Sequence, residues 1–85
     1  MAAAEIREWL ERYVDDRISL GEFEDWFLPA TWDMSQANSL AREMAAETRL
    51  YLAEVDRGDR SQDQLRSALS ELIARHDQRI STGTS

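Results

Sequence analysis

The chain reads as an all-α protein, a compact bundle of four helices of which the second is short. Three observations predict this class. Apolar residues recur at helical spacing in four separate stretches, cap signals open three of them, and no stretch alternates apolar and polar residues as a half-buried strand does. Eighty-five residues make one domain, near the lower size at which a core holds without staples, and with no cysteine there are no disulfides, thiolate metal sites or thiol nucleophiles. Residues 1–80 are read as the helical domain, and the small polar residues 81–85 as a disordered tail. No internal repeat is present.

The first helix is expected over residues 2–15. Ile6, Trp9, Leu10, Tyr13 and Val14 follow the i, i+3, i+4 spacing of a buried stripe, while Glu8, Glu11 and Asp15 project together on the opposite side. The second helix is expected over 19–28. Ser19 and Glu22 stand in capping-box spacing, and Ile18 and Phe23 flank the box as a hydrophobic staple. Leu20, Phe23, Trp26 and Phe27 line one arc and Glu22, Glu24 and Asp25 the other. Pro29 disfavours helical geometry at Leu28, so the helix is read as stopping there, with Ala30 to Trp32 as a connector.

The third helix is expected over 33–56, opened by Asp33 and Gln36. Its buried arc runs through Ala37, Leu40, Ala41, Met44, Ala45, Thr48, Tyr51, Leu52 and Val55, and Gly58 closes it as a left-handed C′ residue. The fourth is expected over 61–80. Ser61 and Gln64 repeat the capping-box spacing, and Leu65, Ala68, Leu69, Leu72, Ile73 and Ile80 form the apolar face.

Charge is the second strong signal. Seventeen acids face ten bases, and every base is arginine. Residues 1–34 hold nine of those acids against Arg7, Arg12 and Arg17, which places −6 of the net −7 in that part. Such a surface repels nucleic-acid phosphates and anionic lipid, so the expected partner is a basic protein, with no direct nucleic-acid or membrane binding. No apolar run approaches membrane-spanning length, and the N-terminus lacks the layout of a secretory signal, so the expected compartment is the cytoplasm.

Candidate chemistry is sparse. His76 is the single histidine and projects into the apolar arc of its helix, where it reads as a core residue. Asp77 follows it but points about 100° away, so no dyad is implied. The three glycines are isolated, which excludes a phosphate-cradling loop. Glu8, Glu11 and Asp15 lack the carbonyl-rich loop of a calcium site. The expectation is a protein that is not an enzyme and uses no cofactor and no metal. Trp26 and Trp32 fit either of two roles, core filling or half-exposed interface anchors. On the third helix Glu43, Glu47, Leu50 and Glu54 form an acidic row with one apolar member, either a second buried edge or a contact ridge.

The stretch Trp9-Leu10-Glu11-Arg12-Tyr13-Val14-Asp15-Asp16-Arg17-Ile18-Ser19-Leu20-Gly21-Glu22-Phe23-Glu24-Asp25 resembles the opening of small bacterial immunity proteins, closest to the colicin-D-type and contact-dependent growth inhibition immunity groups. The shared theme is a helix ending in an aromatic or aliphatic pair, a basic residue, Ile, Ser or Thr, and two spacers before Glu-Phe. It covers residues 9–25, and Trp26 to Asp33 do not belong to it. The resemblance implies a cytoplasmic protein that neutralises a toxin, often an RNase, by covering its active site. The leading expectation is therefore an acidic helical protein that occludes a basic partner, a toxin nuclease or nucleic-acid-binding effector, stoichiometrically. Glu8, Glu11, Asp15, Glu22, Glu24 and Asp25 would form its charged surface, with Trp26 or Trp32 as anchor. A phage-encoded anti-CRISPR or other anti-defence protein that mimics DNA charge is the alternative. A structural or self-associating helical module is the second alternative, and monomer and homodimer both remain open.

Overall fold

The computed structural model describes residues 3–32, 37 and 39–83, the last five of these as backbone only. Among them are four helices and no strand: α1 (Ala3–Val14), α2 (Leu20–Ala30), α3 (Ser39–Asp56) and α4 (Gln62–Gly83). The all-α bundle expected from the sequence is the observed architecture. Helix α1 packs against each of the other three, and α3 and α4 also pack on one another, while α2 lies against α1.

The core follows the helical stripes. Ile6, Leu10 and Tyr13 of α1, Phe23 and Phe27 of α2, Ala41 and Met44 of α3, and Leu65, Leu69 and Leu72 of α4 are buried together. Each large apolar side chain among these contributes about 1.5–3 kcal/mol by leaving water, more than any cap or surface ion pair in so small a domain. Ala41 and Ala45 are buried with Met44, which places the small-residue side of α3 inward. Thr48 is buried as well, with its hydroxyl donating to the Met44 carbonyl at 2.8 Å.

The cap at Ser61 forms as its spacing predicts. The one at Ser19 forms in its N-cap half, the Glu22 carboxylate meeting the Ser19 hydroxyl at 3.4 Å and not the Ser19 N–H. Ser19 sits in extended geometry, and its Oγ accepts the Glu22 N–H at 3.1 Å. At the start of α4 the box is reciprocal: Gln64 N–H reaches Ser61 Oγ at 3.1 Å, and Ser61 N–H reaches Gln64 Oε1 at 2.8 Å. Helices α1 and α3 end in the same manner. After α3, Asp59 N–H reaches back to the Glu54 carbonyl and Gly58 N–H to that of Val55, with Gly58 at φ +81°. After α1, Arg17 N–H reaches Arg12 and Asp16 N–H reaches Tyr13. Here the left-handed position is held by Asp16, at φ +63°. An aspartate tolerates this conformation better than most residues. Its carboxylate also accepts from Arg66 of α4 at 3.1 Å, tying the turn to the bundle.

Three boundaries differ from expectation. Helix α2 continues through Pro29 to Ala30 instead of stopping at Leu28. A proline in the last turn forfeits one hydrogen bond, the one its own N–H would give to the Asp25 carbonyl. That loss is offset where the chain leaves the helix. Thr31 is buried, and its N–H and hydroxyl both donate to the Phe27 carbonyl, at 2.9 and 2.7 Å. Helix α3 begins at Ser39, not at residue 33, and Ala37 is buried ahead of it. The Asp33–Gln36 pair lies outside the described residues. Helix α4 runs to Gly83, past residue 80, and the Ile80 side chain is outside the described set.

At Gly58 an added Cβ would have no heavy atom within 4 Å, so only backbone conformation opposes substitution. Gly58→Ala is expected to cost about 1 kcal/mol in urea unfolding, with an unchanged dependence on denaturant.

Candidate partner-binding surface

The eight residues singled out in the sequence fall into three groups. Glu8, Glu11 and Asp15 lie on or just after α1, and each meets an arginine. Arg12 reaches Glu8 at 2.6 Å, Arg7 reaches Glu11 at 2.6 Å, and Arg17 lies 4.0 Å from Asp15. Arg7 also donates both its Nε and Nη2 to Asp77 of α4, at 2.7 Å each. The α1 face is thus a lattice of alternating charges, and its field largely cancels within a few ångströms.

Helix α2 is different. Glu22, Glu24 and Asp25 stand on an element with no basic residue, and no ion pair reaches any of them among the described residues. Glu22 and Asp25 are exposed and Glu24 is half-buried. Burial, reinforced by the charges of Asp56 and Asp25, pushes the Glu24 carboxyl above its ordinary range. Asp56 ends α3, so the negative region extends from α2 to that end. Helix α2 therefore carries −3 of the −6 in the first part of the chain, against −1 on α1, whose Glu8 and Glu11 are paired with arginines.

The two candidate tryptophans separate completely. Trp26 is half-buried and stacks on Trp9 of α1, ring centroids 4.6 Å apart and planes within 5°. Tyr13, Phe23 and Phe27 continue the cluster, with Tyr13–Phe23 at 5.8 Å and Phe23–Phe27 at 5.4 Å. Trp26 is thus part of the α1–α2 joint. Trp32 is 84% exposed, and Leu28, one turn earlier, is 49% exposed. Leu28 shares the outer face of α2 with Asp25, and Trp32 follows through a further turn in which its N–H approaches the Pro29 carbonyl at 3.4 Å.

What lies beneath Trp32 has no counterpart in the sequence reading. Arg49 of α3 donates to the Thr31 carbonyl and, at 3.0 Å, to the Thr31 hydroxyl. It supplies from a neighbouring helix the cation that α2 lacks at its own C-terminus. Nothing local in the sequence marks the partnership, which spans 18 positions.

The remaining candidates lie on α3 and α4. His76 is buried, 3% exposed, at the rim of an apolar recess of about 140 Å³ lined by Ala3, Ala4, Leu40 and Met44. Asp77 turns away from it to Arg7, whose hydrogen bonds hold the carboxyl below its ordinary range. Leu50 is 54% exposed, but its acidic row is partly engaged: Glu47 accepts from Arg75 at 2.9 Å and Glu54 from Arg60 at 2.8 Å. Among the described residues no three His, Asp or Glu side chains converge to hold a metal ion, and no helix is long and apolar enough to cross a membrane. Comparison with protein-family models, curated proteins and solved structures finds no match to this chain.

Two predictions follow from these placements. Trp26→Ala is expected to cost about 2–3 kcal/mol in urea unfolding because it dismantles the stack on Trp9, whereas Trp32→Ala stays within about 0.5 kcal/mol of the parent. The two titrating carboxyls act in opposite directions. Asp77 binds its proton less readily in the folded chain, so its contribution is present above the ordinary aspartate range and drains away as pH falls through the lowered value. Glu24 binds its proton more readily, so its penalty at neutral pH is relieved as pH falls through the raised value. Between pH 7 and the carboxylate range, Glu24→Gln therefore gains stability relative to the parent at the neutral end, and Asp77→Asn loses it there. Unfolding curves of both variants across that range check the two signs.

Proposed function

We propose that this chain is a small acidic inhibitor that neutralises a basic protein by stoichiometric occlusion, most simply an immunity protein directed against a nuclease-type toxin. The observation that carries the reading is the unneutralised charge of α2: Glu22, Glu24 and Asp25, with no arginine on the helix and none paired to it among the described residues. A nuclease cleft is basic because it holds phosphates. An acidic surface competes for that cleft by the same electrostatics and is drawn to it at long range. The likeness of residues 9–25 to immunity proteins points the same way. Residues 19–25, the cap and first turns of α2, belong both to that likeness and to the charged helix.

The reading assigns a division of labour. An acid and its arginine taken together, such as Glu8 with Arg12, add little to steering, whereas the acids of α2, which have no such partner among the described residues, add most. Affinity chromatography from the source cell, with the whole chain as bait, is expected to retain a basic nuclease or nucleic-acid-binding effector at low salt and release it at high salt. With that partner purified, the triple variant Glu22→Gln, Glu24→Gln, Asp25→Asn should associate about tenfold more slowly at low ionic strength. The double variant Glu8→Gln, Arg12→Gln, which removes both members of one ion pair and leaves the net charge unchanged, should stay within about twofold. Association insensitive to salt overturns the mechanism, and recovery of the bait alone, sedimenting as a dimer, points to self-association instead.

A further inference from the structure

We propose that the outer face of α2, from Asp25 through Leu28 to Trp32, is the docking surface for the basic partner, and that the Trp32 indole is the anchor it inserts. This rests on the functional reading above and adds to it which residues hold the complex together once charge has brought it together. Three observations converge on this face.

The first is the exposure of Trp32. The two other tryptophans are stacked on each other in the α1–α2 joint, whereas Trp32 is 84% exposed and Leu28, four positions earlier, is 49% exposed. Large aromatic and aliphatic side chains held in water are what a partner's pocket can desolvate, and tryptophan is among the residues most enriched at such anchors.

The second is the way Trp32 is held. Thr31, the residue before it, is fully buried, and each of its polar groups is bonded. Its N–H and hydroxyl donate to Phe27, and its carbonyl accepts from Arg49 of α3. The backbone that carries the indole is thus clamped by two helices while the ring stands in solvent. An anchor presented from a fixed base loses less freedom on binding than one on a loose loop.

The third is charge. Asp25 and Leu28 share the α2 surface and Glu22 and Glu24 flank them, so the negative charge of this face comes from its carboxylates, the C-terminal end of the helix being met by Arg49. The complement is a protein pocket that is apolar inside and rimmed by lysine or arginine. The Leu50 ridge of α3 lacks this character, because Glu47 and Glu54 are bound to Arg75 and Arg60. Nucleic acid and anionic lipid are repelled by the same field.

The test uses the whole chain with the photo-crosslinker p-benzoylphenylalanine at position 28, at position 32 or, as a control, in place of the exposed Ser70 of α4. In the source cell, positions 28 and 32 are expected to capture one and the same basic protein and position 70 not to capture it. With that protein purified, Trp32→Ala should raise the dissociation rate at least tenfold and leave the association rate within about twofold, with Trp32→Phe recovering part of the loss. The α2 triple variant should show the reverse pattern, a slower association and a smaller change in dissociation. Capture of the basic protein from position 70 instead of 28 and 32, or a Trp32→Ala variant that dissociates at the parental rate, overturns the docking surface and leaves the inhibitor reading standing. Capture of a second copy of this chain from 28 and 32 also overturns it. If no basic protein is captured from any position or retained on the affinity column, the inhibitor reading falls, and the docking surface falls with it.

Discussion

Helix α1 carries the geometry of the whole domain, because it is the one element against which all three others pack. A twelve-residue helix with three neighbours has little circumference left for solvent. Ile6, Leu10 and Tyr13 point into the core, Trp9 meets Trp26 of α2, and Arg7 crosses to Asp77 of α4. The acids that remain outside sit among arginines that the packing has fixed nearby, so they pair locally. Helix α2 has the opposite situation. It leans on α1 through one aromatic face and meets Arg49 at its C-terminal end, while its carboxylates meet no arginine among the described residues. The asymmetry between a saturated helix and an unsaturated one places the available charge on α2.

Much of the fold was legible because its signals are local. Ser19, Ser61 and Gly58 announce helix ends by residue type and spacing, and the apolar stripes give the faces. Pro29 misled because the local rule that stops a helix before proline was overridden by Thr31 and Arg49, two residues that meet only in the folded chain. The left-handed turn at Asp16 was invisible for the same reason that glycine at 58 was visible: aspartate has many other uses. The functional face was half readable. Trp26 and Trp32 lie in one acidic, aromatic segment and look alike in the sequence, and what separates them is Trp9, seventeen positions before Trp26, to which only one of them stacks. The pairing of Glu8 with Arg12 and Glu11 with Arg7 was within reach of i, i+4 reasoning, but projecting the acids onto a common side hid the arginines beside them.

The exclusive use of arginine acquires a physical meaning in the structure. Arg12 lies over the Trp9 ring at 4.7 Å while bonding Glu8. Arg60 lies over Tyr51 at 5.0 Å while bonding Glu54, and Arg66 over Tyr13 at 5.2 Å while bonding Asp16. A planar guanidinium can cover an aromatic face and still direct its N–H groups at a carboxylate, which a compact ammonium does less well. In a domain this small the aromatic residues outrun the apolar material available to cover them, and these arginines serve as lids as well as charges.

The bond between Arg7 and Asp77 joins residues 70 positions apart, and it has a bearing on how the chain comes into being. The hub of the bundle is made before the helix that covers much of it. At about 5–20 residues per second, some 4–14 s separate the emergence of the two partners. During that interval the side of α1 destined for α4 has nothing to rest on. The aromatic joint with α2 is the exception, since Trp9 and Trp26 emerge within the same short stretch and can close without waiting. The α1–α2 hairpin is thus suited to act as a nascent nucleus that hides the stickiest rings first, so that the stacked indoles protect the young chain before they brace the finished one.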